Sequence, residues 1–293
     1  MTNAAEILNK IEREIIAKRM NYFDFVLYDG RDFHRRELLA VSPCQNCYSV
    51  TKSFTATAVG IARDMGLLSV DDTLDKFFGG SWPAGGDPKM KNVRVRHLLT
   101  HTTGIEKGSL FEADRYDNGT DDWLKYCLLL PLKYEPGERY TYSNTNFYLL
   151  SRVISRVSGM RLDRFAYKNL FKRLSIKNFA WTCCPEGETQ GGTGLYLPTA
   201  DMAKLGALYL NKGVWEGARV LSEAWINEAT INQTASIPGV KSGFGLFISD
   251  KGYRFAGAYN QNVTIRPDLG IVVAAHGFIN DEDFGAILDG AVS

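Results

Sequence analysis

Ser49-Val50-Thr51-Lys52 sets a hydroxyl and an amine three residues apart, and the S-x-x-K pattern occurs once in the chain. On a helix this spacing brings both side chains onto one face. A lysine so placed can take the serine proton if its ammonium is held deprotonated part of the time. Burial and nearby positive charge both lower a lysine pKa. The positive end of a helix acts in the same direction, favouring developing negative charge over a protonated amine. The pair is therefore a candidate nucleophile and base that needs no histidine. A surface serine and lysine on an ordinary helix would show the same pattern.

Tyr142-Ser143-Asn144 is the second candidate. A phenol beside an S-x-x-K pair can relay a proton, and an asparagine amide can hold both the lysine amine and a substrate amide. Tyr116-Asp117-Asn118 and Tyr167-Lys168-Asn169 fit the same Y-x-N pattern, so spacing alone does not choose among them.

The elements that must position these groups follow from periodicity. Residues 4–19 read as an amphipathic helix with Ile7, Leu8, Ile11, Ile15 and Ile16 on one side. Phe23 to Tyr28 is rich in strand formers, Asp29-Gly30 is a turn, and Glu37 to Val41 would be the returning strand. Ser49 to Met65 is helical, with Gly66 at its end. Further helices are expected over Arg94–Thr100, Asn146–Val157, Leu162–Leu174 and Thr199–Asn211. Beyond residue 240 the pattern becomes a meander: Phe244–Ile248, Tyr253–Ala256, Asn262–Ile265 and Ile271–Ala275, closed by a helix over Asp281–Leu288. The economical fold is α/β (α+β). One antiparallel sheet is built from both chain ends and covered by the terminal helices, with a large, mainly helical insertion. The expected division is 1–60 with 236–293 as the sheet part and 61–235 as the helical part, the site lying in the cleft between them.

Charge and motifs exclude several classes. Lys+Arg is 34 against Asp+Glu 33, a net charge of +1, without the basic excess of a nucleic-acid binder. No apolar run approaches the ~20 residues that span a bilayer, and no signal peptide is evident, so a cytoplasmic protein is expected. The histidines at 34, 97, 101 and 276 do not form a ligand set. His97 and His101 stand four apart with no evident third ligand. Cys44-Gln-Asn-Cys47 is a C-x-x-C, but Cys183 and Cys184 are adjacent rather than spaced as a second ligand pair. The five cysteines read as free thiols of a reducing compartment. No metal or cofactor is expected.

The run Tyr134 to Asn146 strongly resembles the penicillin-recognising serine hydrolases, in the branch holding class C β-lactamases, D-alanyl-D-alanine carboxypeptidases and related esterases and amidases. Ser49–Ala56, Leu67–Asp72, Val95–Gly104 and Gly194–Ala203 look similar too, in family order from about 45 to 277. The resemblance implies a β-lactamase/transpeptidase-like fold and a set of roles. Ser49 is the acylated nucleophile, Lys52 shares its proton, Tyr142 is general base and relay, and Asn144 positions the substrate. The family's Lys-Thr-Gly or His-x-Gly aligns with Phe255-Ala256-Gly257, followed by Ala258. Ala258 N–H and Ser49 N–H would form the oxyanion hole. Phe255 stands where relatives carry a cation, and is expected to line the cleft, though a strand phenylalanine can equally pack a core. Arg254 should face the opposite way. His101 is expected to fix a helix-to-loop junction, and Gly191, Gly192 and Gly194 a tight loop at the cleft edge. The expected function is a serine hydrolase forming an acyl-enzyme on an amide, ester or lactam of a small molecule. The rivals are a true β-lactamase or D-amino-acid peptidase, and a catalytically silent binding module.

Overall fold

The computed structural model describes residues 4–111, 119–280 and 284–292. The main elements in chain order are α1 (Ala4–Ala17), β1 (Tyr22–Tyr28), β2 (Phe33–Glu37), β3 (Gln45–Asn46) and α2 (Thr51–Asp64). There follow α3 (Asn144–Ser158), β4 (Ala180–Trp181), β5 (Leu195–Leu197) and α4 (Thr199–Leu210). The chain ends with β6 (Phe247–Ser249), β7 (Gly252–Gly257), β8 (Gln261–Arg266), β9 (Ile271–Gly277) and α5 (Phe284–Val292).

Both chain ends meet in one six-stranded antiparallel sheet of order β2-β1-β9-β8-β7-β6. β1 pairs directly with β9, Phe25 opposite Ala275 and Leu27 opposite Val273. Every residue of β9 is buried, as expected of a central strand covered on both faces. On the outer face α1 and α5 pack over Phe25, Leu27, Val273 and Ala275. On the inner face a larger apolar cluster runs from Val26, Val263 and Val272 through Met202 and Leu205 of α4 to Phe54 of α2 and Phe147 of α3. Thus α4, which falls inside the expected helical segment, lies against the sheet. The returning strand of the first hairpin is Phe33–Glu37 rather than Glu37–Val41. His34 and Arg36 alternate there with exposed neighbours, so an edge strand with little apolar content hid from the pattern. Of the expected last helix, residues 281–283 lie outside the described ones; the Tyr116–Asn118 candidate does as well. Among the described residues no helix is long and apolar enough to cross a membrane.

Candidate active site

Ser49 sits in a single 3-10 turn, Tyr48–Val50, that leads into α2. The turn is anchored from below: β3 pairs with β5, and Cys47 N–H donates to Leu195 O at 2.8 Å. Tyr48 enters it with φ +44°, a conformation that costs a non-glycine residue about 1–3 kcal/mol and is held only by its surroundings.

Lys52 follows on the first turn of α2. It is 2% exposed, and its Nζ stands 3.0 Å from Ser49 Oγ, 2.6 Å from Asn144 Oδ1 and 2.7 Å from Gly192 O. Burial holds its pKa well below the usual lysine value. A neutral amine carries two hydrogens and one lone pair. The two carbonyl oxygens take the hydrogens, which turns the lone pair toward the serine hydroxyl.

Asn144 opens α3, whose N-cap Ser143 accepts from Thr145 N–H. The amide is set at both ends: Oδ1 receives Lys52, and Nδ2 donates to Leu110 O at 2.9 Å. Asn144 is therefore buried behind the lysine and does not line the pocket. The contact with the base is the one its ability to accept implies, and one of the two Nδ2 hydrogens is taken by Leu110 O. The bare Gly192 approaches Lys52 without crowding its neighbours. A Cβ there would sit 3.1 Å from Asn144 O.

Tyr142 lies over the same amine, with Lys52 Nζ 4.7 Å from its ring centre. Burial pushes the phenol up to about 12, against a smaller opposing pull from the Ser49 hydroxyl. The resting tyrosine is thus a neutral phenol. His101 packs on the ring with centroids 4.4 Å apart, and Phe111 stacks on it at 6.2 Å. His101 Nδ1 accepts Ser143 N–H at 3.3 Å, and Thr141 N–H donates to His101 O at 2.8 Å. These contacts make His101 the clamp on the Tyr142 segment, as the junction reading expects. Burial and the adjacent Lys52 keep its imidazole well below the ordinary histidine pKa. The other described Y-x-N lies elsewhere: Tyr167 stacks on Phe179, and Asn169 binds Phe165 O.

The opposite wall is β7. Gly257 touches the nucleophile's turn so closely that a Cβ would stand 2.6 Å from Cys47 O and 3.0 Å from Ser49 N. Exposed Ala258 then opens a 3-10 turn. Phe255 departs from expectation. It is fully buried, its ring edge-on to Tyr209 of α4 at 5.2 Å. Strand alternation places it with its partner Val263 on the inner face. Ala256 lines the pocket, and Arg254, two residues back on the same face, lines the adjoining groove.

The pocket over Ser49 is walled by Lys52, Tyr142, Ser242, Phe247 and Ala256 and is narrow, with a volume of about 10 Å³. A groove of about 1010 Å³ adjoins it and shares Tyr140 and Phe247. Nothing in residue type marked Ser242, Phe247 or the carbonyls of Leu110 and Gly192, since backbone atoms and apolar walls leave no chemical signature. All five cysteines are unpaired; Cys44 Sγ donates to Asn178 O at 3.8 Å, and burial pushes the Cys47 thiol up.

An antiparallel sheet joined by both chain ends, a buried lysine beneath a serine at the head of a helix, and a tyrosine over both define a β-lactamase/transpeptidase-like fold. The β-lactamase family pattern matches residues 45–285, and the chain belongs to that family. A penicillin-binding protein of Bacillus subtilis is 31% identical over 129 residues, 42% of this chain and 27% of that one. An N-acetylmuramyl-L-alanine amidase of Bacillus subtilis is 24% identical over 182 residues, 59% of this chain and 41% of that one. The matches thus cover less than half the length of these two relatives. Among solved structures, an octameric penicillin-binding protein homologue from Pyrococcus abyssi superposes with a TM-score of 0.77 at 20% identity, covering 99% of this chain and 77% of that one. A D-stereospecific amidohydrolase from Streptomyces superposes with a TM-score of 0.73 at 21% identity, covering 99% and 98%.

Proposed function

We propose that the chain is a serine hydrolase that forms an acyl-enzyme on Ser49 and hydrolyses it with water. The observation that carries this is the threefold setting of Lys52 Nζ, with two carbonyl oxygens and the Ser49 hydroxyl at 2.6 to 3.0 Å. As Ser49 Oγ attacks a carbonyl carbon, its proton passes to the Lys52 lone pair. The carbonyl π electrons move onto oxygen, beside the N–H groups of Ser49 and Ala258. On collapse the bond to the leaving group breaks. Tyr142 gives its proton to the leaving atom and is reprotonated by Lys52, which restores the neutral amine. Water then attacks the ester and reverses the relay, freeing the acid and returning a proton to Ser49. Held near 12 by burial, Tyr142 relays rather than acts as the resting base. That role falls to Lys52.

The substrate class is a small ester, amide or lactam. Among the described residues lining the pocket, Lys52 is the one lysine or arginine, and it is bound to protein oxygens. This supports poor recognition of carboxylate-bearing β-lactams and activity of the esterase or amidase kind. The unpaired thiols support a cytoplasmic setting.

The deciding experiment labels the folded protein with a fluorophosphonate and maps the adduct by mass spectrometry, then compares p-nitrophenyl acetate with nitrocefin. An adduct on Ser49 and ester turnover, both lost in Ser49→Ala, are expected. A fully folded protein that takes no label, or a Ser49→Ala variant of equal activity, overturns the reading. Rapid nitrocefin turnover would make it a β-lactamase.

A further inference from the structure

The turn that presents Ala258 is kept in an unfavourable conformation by a side chain outside every motif. Tyr259 and Asn260 both lie in the left-handed region, at φ +57° and +65°. Side chains other than glycine are crowded there, so two in succession persist only where the surroundings fix them. Gln261, 2% exposed, supplies that fixing. Its Nε2 donates to Gly277 O at 2.7 Å and shares its hydrogens with Ala258 O and Tyr259 O, each at 3.2 Å. Three carbonyls settle which way the amide points. Oε1 therefore faces His276 Nδ1 at 2.5 Å and accepts Gly277 N–H at 3.4 Å. His276, fully buried on β9, brings its Nε2 to 3.1 Å from Leu197 O. Leu197 pairs with Gln45 of β3, and β3 leads through Cys47 to Ser49. A neutral imidazole carries one N–H. With that hydrogen on Nδ1 and Gln261 Oε1 as its acceptor, the hydrogen bonds run from the turn holding the Ala258 N–H to β9, whose His276 lies against the strand pair beneath the Ser49 N–H.

We propose that Gln261 is a positioning residue for the reaction: it holds the Ala258 N–H against the Ser49 N–H where the developing oxyanion forms, with His276 orienting its amide. This rests on the acyl-enzyme reading above. The brace acts on backbone donors that matter only as charge develops, so its loss should fall on kcat and leave KM nearly alone.

The test compares Gln261→Leu and Gln261→Glu with wild type, using p-nitrophenyl acetate kinetics, the fluorophosphonate labelling rate, and Tm with near-UV circular dichroism. Gln261→Glu keeps the shape and the acceptor toward His276 but turns an oxygen on the three carbonyls. Both variants should lose about tenfold to a hundredfold in kcat, the scale of a misplaced catalytic group. Labelling should slow in proportion, with KM within about twofold because the contact is made in the transition state. A folded variant with wild-type kcat, or one whose KM alone rises, overturns the proposal. So does loss of the native near-UV signal in both variants, which would make Gln261 a residue of the fold only. A wild type that takes no label on Ser49 instead overturns the acyl-enzyme reading, so the two failures are distinguishable.

Discussion

The two walls of the pocket solve different problems with different atoms. On the helical wall the working groups are side chains, and they are over-determined. Lys52 has three polar partners within 3.0 Å, and Asn144 is bound at both ends of its amide. On the sheet wall the proposed working group is a backbone N–H, that of Ala258, set against the Ser49 N–H of the helical side by the absence of a Cβ at Gly257 and by a strained turn at Tyr259–Asn260. Chemistry on the first wall depends on which atoms are present. Chemistry on the second depends on where the main chain runs.

The largest effect should come from the helical wall. Lys52→Met removes the amine but keeps much of its length, and kcat/KM should fall by about 10³ or more, the scale of a lost general base acting with its nucleophile. Stability should fall by about 1–3 kcal/mol, because Asn144 Oδ1 and Gly192 O lose their buried donor. Adding Tyr142→Phe should cost little more, since the two pass one proton. Ester kinetics and calorimetry on the single and double variants check this. Additive losses would mean the two groups act separately, and would break the helical half of the comparison.

The sheet wall should respond to a single methyl. Gly257→Ala inserts a carbon 2.6 Å from Cys47 O, so β7 or the Ser49 turn must move. Overpacking of this kind costs about 1–3 kcal/mol. The shift should also lower kcat by about tenfold to a hundredfold by misplacing the reacting groups. A wild-type kcat in this variant would show that the Ser49 and Ala258 donors are not used. Two residues earlier on the same strand the outcome reverses. Phe255→Ala should cost about 3–5 kcal/mol as a buried ring lost from the core. The folded fraction should keep its ester kcat/KM. Phe255→Lys should lower Tm without improving use of carboxylate-bearing substrates, because that position faces Tyr209 rather than the cleft.

The contrast also explains what could be read from the chain beforehand. Ser49, Lys52 and Tyr142 carry reactive atoms in their side chains, and i, i+3 spacing on an amphipathic helix states where two of them point. The pairing of terminal strands followed from runs rich in strand formers at both ends, which need a common partner. Phe255 was misplaced by face because the parity of a six-residue strand is set by its neighbours. In a run such as Tyr253-Arg254-Phe255-Ala256, either face can be the wet one. Asn144 was read as holding the lysine amine and a substrate amide; that Leu110, on a loop 34 residues earlier, offers a carbonyl to the same amide is something no pattern reveals. The roles of Gln261 and His276 were hidden for the same reason: besides each other, their partners are mostly backbone oxygens, and every residue has one.

A pH series separates the walls by a different observable. His276 is fully buried opposite Asp24 of β1, whose carboxylate raises its pKa, yet burial dominates and lowers it from 6.5 to about 4. The folded protein therefore refuses a proton that the unfolded chain accepts below about pH 6.5. The unfolded state binds more protons in that window, so stability falls as pH drops from 6.5 toward 4, at up to about 1.4 kcal/mol per pH unit for this one group. Buried His101, shifted in the same direction, should steepen the slope. His276→Gln should flatten the Tm profile across this range while leaving the acid limb of the rate profile in place. That limb belongs to Lys52, whose depressed pKa sets where the amine becomes an ammonium and can no longer accept the serine proton. If the variant instead moves the acid limb of kcat/KM and leaves the Tm profile unchanged, the titration of His276 is coupled to the chemistry. The division between a wall that reacts and a wall that positions would then be drawn in the wrong place.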